Sequence, residues 1–150
     1  MLKEWFNNLT STARINPEDY AAKISRNRLT SLGYALAGWY YMLRRQKNTR
    51  IMSVFSIVIM MMALWLRVSR VEVAILIMAI TIVWLAEFVN AGIEAVVDLA
   101  SPEIHPLAKV AKDVASAAVL LGVVASILVG LLLMGPPLLE KLGWMTSIVS

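Results

Sequence analysis

"VAILIMAITIVWLAEFVNAGIEAVVD", residues 73–98, decides how this chain folds. Taken from Val71 to Asp98 it has 28 residues. At about 1.5 Å per residue a helix of that length reaches about 42 Å, enough for a hydrocarbon core of about 30 Å and both headgroup zones. The first half reads as a membrane-spanning helix, and then Glu87, Asn90, Glu94 and Asp98 enter. An ionisable side chain at a bilayer centre costs roughly 2.5–3.5 kcal/mol on the lenient insertion scale. These carboxylates therefore need a partner, a shallow depth or a use. On a helix, positions i, i+3 and i+7 share a face. Glu87, Asn90 and Glu94 follow that rule and Asp98 extends the stripe, while Phe88, Val89 and Val96 lie opposite, where they can meet lipid. A polar stripe at membrane depth must face protein or water. Gluing helices into an oligomer is the plainer explanation, but one Asn or Ser usually suffices for that.

Composition supports the membrane reading. The chain has 150 residues, 59% of them hydrophobic, and a mean hydropathy of +0.72. Soluble domains are nearer 45–50% apolar. The length predicts a single domain over residues 1–150. With no cysteine, disulfide frameworks and thiolate metal sites are excluded. Two further apolar runs flank the decisive one. "IMSVFSIVIMMMALWL", 51–66, is short for a span and needs its flanking residues to cross. "VASAAVLLGVVASILVGLLLM", 114–134, is long enough, and Pro136 and Pro137 in "GPPLLEK" are expected to stop it, because proline has no amide to donate.

Three spans place the termini on opposite sides. Of 14 basic residues, nine precede position 51: Lys3, Arg14, Lys23, Arg26, Arg28, Arg44, Arg45, Lys47 and Arg50. With the N-terminus inside, the cytoplasmic segments hold these nine plus Lys109 and Lys112, leaving Arg67, Arg70 and Lys141 outside. The positive-inside rule favours that orientation, and it carries the acidic end of residues 71–98 toward the cytoplasm, where nucleotides are. The basic excess thus marks a membrane flank, not a nucleic-acid surface. No cleavable signal peptide is expected, because residues 1–20 lack an apolar core. In "LTSLGYALAGWYYMLRR", 29–45, Leu29, Leu32, Leu36, Trp39 and Leu43 recur at helical spacing among Tyr34, Tyr40 and Tyr41. That pattern predicts an amphipathic helix on the inner leaflet. Asn16-Pro17-Glu18-Asp19 predicts the start of a separate short helix.

After the acidic stripe comes "LASPEIHPLAKVAKD", 99–113, where Lys109, Lys112 and Asp113 cluster and Ser116 lies four residues beyond Lys112. Two lysines facing glutamates at a cytoplasmic membrane rim suit an anionic ligand and its cation. His105 taken alone reads as a surface histidine. The GxxxxGK[ST] loop, the soluble-kinase signatures and HExxH are absent. A small oligomer conducting ions or protons along its acidic stripe also explains the carboxylates, though not the Lys112–Asp113 pair or the surface helix.

"EFVNAGIEAVVD" followed by "HPLAKVAKDVASAAVLL", with "LGYALAGW", "QKNTRI" and Trp65, resembles the small bacterial integral-membrane diacylglycerol kinase and undecaprenol kinase family over residues 26–135. Residues 1–25 are an N-terminal extension without counterpart. The resemblance implies an all-α membrane protein: a homotrimeric helix bundle of three transmembrane helices per protomer plus the N-terminal surface helix, in a bacterial-type inner membrane. It implies transfer of the γ-phosphate of ATP, with Mg²⁺, to a lipid hydroxyl, diacylglycerol or undecaprenol. Carried over by motif position, Glu87 is the general base supported by Asn90, and Glu94 is a magnesium ligand. Tyr34, Glu103, His105, Lys112 and Asp113 contact ATP, and Trp65, Ser116 and the surface helix border the lipid. Gln46 stands where the best-known members have a second metal-binding glutamate, and Asn27, between Arg26 and Arg28, where they have an arginine.

Overall fold

The computed structural model describes residues 28–101, 103 and 105–143. Four helices follow in order: α1 Arg28–Arg45, α2 Lys47–Leu66, α3 Arg70–Ala100 and α4 Pro106–Lys141. The chain divides into two units, residues 1–40 and 41–150. In the first, the described part of α1 is helical, with Leu32, Tyr34, Leu36, Trp39 and Tyr40 exposed. The helix expected over 29–45 is thus present. The helix expected near Asn16 lies outside the described residues.

In the second unit α1 ends at Arg45, and Gln46 breaks the helix with extended backbone, φ −93° and ψ 118°. α2 then begins at Lys47, so residues 47–50 supply the length that the apolar run 51–66 lacked. Its 20 residues give about 30 Å, one hydrocarbon thickness. Arg67 closes α2 in the left-handed region, φ 59° and ψ 39°, with its N–H on the carbonyls of Ala63 and Leu64. Ser69 and Glu72 then form a capping box: the Ser69 N–H donates to Glu72 Oε2 at 2.6 Å and the Glu72 N–H to Ser69 Oγ at 3.3 Å. Each side chain satisfies an amide that the first turn of α3 leaves open. Three linking residues leave α2 and α3 antiparallel neighbours.

α3 and α4 exceed the expected spans, at 31 and 36 residues or about 46 and 54 Å. α4 starts at Pro106, where proline fits the first helical position, and His105 caps it by accepting the Leu107 N–H on Nδ1 at 3.2 Å. The expectation that Pro136 and Pro137 stop the helix is corrected: α4 runs through both to Lys141. Each proline removes one amide and crowds the turn before it, but the following turn is held from outside. Leu138 packs against the buried cluster of Ala63, Leu66, Leu76 and Met134. Lys141 Nζ donates to the Trp65 carbonyl at 2.5 Å and lies 4.3 Å from the centre of that indole.

Three helices, α2 to α4, are long and apolar enough to cross a membrane, and among the described residues there is no strand. Large apolar side chains are exposed along all three, among them Phe55, Leu64, Leu85, Leu121 and Leu132. Lipid accepts such a surface, whereas the polar backbone must be satisfied within each helix. The buried cluster lies where α2 ends, α3 begins and α4 ends, leaving the opposite end to polar groups. Leu76, 2% exposed, tests that packing. Leu76→Ala is expected to destabilise the fold by about 1–3 kcal/mol, mostly through the cavity it leaves, read as a lower thermal midpoint in detergent micelles.

Candidate functional site

The site is built in the second unit by the antiparallel register of α2 on α3. Trp84 Nε1 of α3 donates to Ser56 Oγ of α2 at 3.1 Å. α4 pairs with α3 in the same sense, Gly122 lying against Val83 and Lys112 against Asp98. The beginning of α2, the second half of α3 and the beginning of α4 therefore share one end.

Glu87 is 3% exposed and Asn90 8%. The Asn90 amide donates to Glu94 Oε1 at 3.1 Å, which joins two members of the expected stripe. Asn90 Oδ1 is buried without a hydrogen-bond partner among the described residues, as is Thr49 Oγ1 in the first turn of α2. A buried, unpaired oxygen costs roughly 1–3 kcal/mol, which points to a group it receives from outside the chain. Beyond Glu94 the stripe meets the lysines. Lys112 Nζ donates to Asp98, tying α3 to α4 across their loop, and Lys109 Nζ donates to Asp113 at 2.6 Å. Both pairs are largely exposed, so a polyanion can compete for these cations.

The other expected residues fall as follows. Glu103 is exposed, its carbonyl accepting from Ser101 Oγ at 2.9 Å. His105 uses Nδ1 as the cap of α4, which leaves Nε2 for a ligand. Ser116 is exposed on α4 one turn beyond Lys112. Tyr34 is exposed on α1, in the first unit. Trp65 is not brought together with Glu87: it lies at the end of the bundle held by Lys141, away from the Asp98–Lys112 pair. Between the two ends runs an apolar cleft of about 320 Å³, lined by Ile51, Phe55, Trp84, Val123 and Ile127.

No three His, Cys, Asp or Glu side chains converge on a metal site among the described residues. The oxygens that fit a hard cation are the Glu94 carboxylate and the orphaned Asn90 Oδ1. Mg²⁺ is commonly held by one or two carboxylates together with substrate phosphates, and this donor set fits it. Sequence reasoning missed the pairing of Asp98 with Lys112, which only the packing of α3 against α4 brings together.

Residues 33–134 match the family described as prokaryotic diacylglycerol kinase. A diacylglycerol kinase of Synechocystis is 38% identical over 121 residues, 80% of this chain and 69% of that protein. A diacylglycerol kinase of Pseudomonas aeruginosa is 40% identical over 90 residues, 60% of this chain and 73% of that protein. An undecaprenol kinase of Bacillus subtilis is 31% identical over 121 residues, 78% of this chain and 98% of that protein.

The exposed Asp98–Lys112 pair is expected to serve the site more than the fold. Asp98→Asn should change the unfolding free energy by less than about 1 kcal/mol. That difference should disappear in high salt, which thermal unfolding at two ionic strengths checks.

Proposed function

This chain belongs to the prokaryotic diacylglycerol kinase family and is a membrane lipid kinase, and from that premise we propose that it transfers the γ-phosphate of MgATP to the hydroxyl of diacylglycerol, giving phosphatidic acid at the inner membrane face. The observation that supports the proposal is that Glu87 and Asn90 are buried on α3, with Asn90 bonded to Glu94 and, one turn further on, Asp98 paired with Lys112 of α4. Phosphoryl transfer asks chiefly for positioning, for charge neutralisation and for a base at the incoming hydroxyl. Glu87 accepts the hydroxyl proton as the acceptor oxygen bonds to the γ-phosphorus and the bond to ADP breaks. Lys112 exchanges Asp98 for a phosphate, and Asp113, His105 through Nε2, Glu103 and Tyr34 contact the rest of the nucleotide. Glu94, with Asn90 Oδ1 and Gln46, would hold Mg²⁺, which supplies charge neutralisation on the phosphates when bound.

Ser116 and the aromatic residues of α1 border the lipid, with α1 lying on the inner leaflet. Trp65, at the far end of α2, meets the end of the acyl chain and not the reacting hydroxyl. The exposed apolar faces of α2 to α4 serve both lipid contact and a homotrimer. The excess of basic residues before position 51 supports the N-in orientation.

Undecaprenol is the second reading, favoured by the undecaprenol kinase of Bacillus subtilis, 98% of whose length aligns with this chain. Diacylglycerol leads because the relatives at 38% and 40% identity are diacylglycerol kinases. Radiolabelled ATP offered with both lipids in mixed micelles separates them. Label is expected in phosphatidic acid; label in undecaprenyl phosphate transfers the assignment, and conduction without lipid-dependent ADP release replaces the kinase by a channel. Glu87→Gln is expected to lower turnover by about 10²–10⁴-fold, the usual contribution of a general base, while ATP binding and oligomeric state remain. Retention of most activity in that variant removes the base assignment.

A further inference from the structure

The face of α3 that carries the acidic stripe does not end at Glu87. Ile80, Val83, Trp84 and Glu87 follow the i, i+3, i+4, i+7 spacing of one helical face. The first three of them line the apolar cleft of about 320 Å³. The cleft therefore continues the stripe into the hydrocarbon, beginning at Trp84, one turn or about 4.5 Å along the axis from Glu87. Its wall there is fixed across helices. Trp84 Nε1 donates to Ser56 Oγ at 3.1 Å, and Ser56 Oγ donates to the Met52 carbonyl at 2.7 Å. Trp84 and Ser56 are half-buried, at a membrane depth where an indole N–H needs an acceptor from the protein. The same indole lies against Phe88, ring centroids 6.1 Å apart. A bulky ring is thus held in place at the end of the cleft nearest the buried acid.

We propose that this cleft takes an acyl chain of the lipid alcohol, and that Trp84, held by Ser56, is the specificity-determining residue that selects an unbranched chain. The assignment rests on the reading that the acceptor hydroxyl reacts at Glu87. A headgroup placed there has the mouth of the cleft one turn away, on the same face of the same helix. The hydroxyls in the lining are those of Ser56 and Ser126, and Ser56 is already engaged with Trp84 and Met52. Shape, more than hydrogen bonding, decides what fits. At about 320 Å³ the cleft is near the low end of the roughly 300–1,000 Å³ common for small-molecule sites, so room beside the indole is scarce. A methyl branch on the chain meets a ring that cannot turn aside without losing its acceptor. In an apolar pocket one methylene more or less changes specificity by about 10–200-fold.

The test is kcat/KM of the full chain in mixed micelles, with saturating ATP and two acceptors of one headgroup and one chain length: dipalmitoylglycerol and its methyl-branched analogue, diphytanoylglycerol. The unaltered chain is expected to favour the unbranched acceptor by about 10-fold or more. Trp84→Ala should lower that ratio by about 10-fold, because it makes room for the branches. Ser56→Ala frees the ring without removing it and should lower the ratio in the same direction by less. Trp84→Phe, which has no N–H, is expected to match Ser56→Ala, and it supplies the readout if Trp84→Ala fails to assemble. An unaltered chain that is indifferent to branching, or prefers it, overturns the inference. Equal loss on both acceptors in Trp84→Ala and Trp84→Phe, the outcome of a merely structural role, overturns it as well. So does an altered oligomeric state with an unchanged ratio, which gives the cleft to a second copy of the chain. Glu87→Gln, measured alongside, separates the two readings. If it is inactive and the Trp84 variants leave the ratio unmoved, this inference alone fails; if it stays active, the reading of the base fails, and the ratio still decides the chain.

Discussion

An acid on a membrane-spanning helix has to be answered by another part of the protein, and this molecule is arranged around that requirement. Water does not hydrate Glu87 at 3% exposure, and lipid offers no donor. The packing of α2 and α4 on α3 takes Glu87 and Asn90 out of contact with lipid, and within α3 the Asn90 amide answers the carboxylate of Glu94. The chemistry proposed for the chain is a use of an arrangement that membrane physics demands in any case.

The two ends of the second unit divide the work. Where α2 ends and α3 begins, Ala63, Leu66, Leu76 and Met134 are buried together, and Lys141 closes that end through the Trp65 carbonyl and indole. At the other end α2 begins, the acidic stripe emerges and α4 starts with Pro106 and its His105 cap. Packing at the first end fixes the register and so aligns the polar groups at the second without burying apolar side chains among them. The exposed ion pairs of Lys109 and Lys112 belong to the second end. Exposed pairs of this kind are individually weak, which suits cations that must change partners when a polyanion arrives.

Much of this was legible in order along the chain. Hydrophobic length identified three spans, and the helical spacing of Glu87, Asn90 and Glu94 placed them on one face. The short run 51–66 required help from its flank, and α2 begins at Lys47 for that reason. The prolines misled, because a rule about missing amides says nothing of packing on the following turn, where Leu138 and Lys141 hold α4 in place. His105 gave only a weak signal, since a cap is a relation between a side chain and a backbone amide two residues away.

By itself, then, the sequence determined what local chemistry determines: which segments are apolar enough to span, which polar residues share a helical face, and which motifs the chain shares with a lipid-kinase family. Those properties depend on neighbours within a few turns of helix. Only the tertiary structure decided that Ser56 meets Trp84, that Asp98 pairs with Lys112, and that Trp65 meets Lys141 at the end of the bundle away from that pair. Each is a contact between segments far apart in the chain. Its partner is chosen by the register in which whole helices pack, and no local pattern of residue types encodes that register.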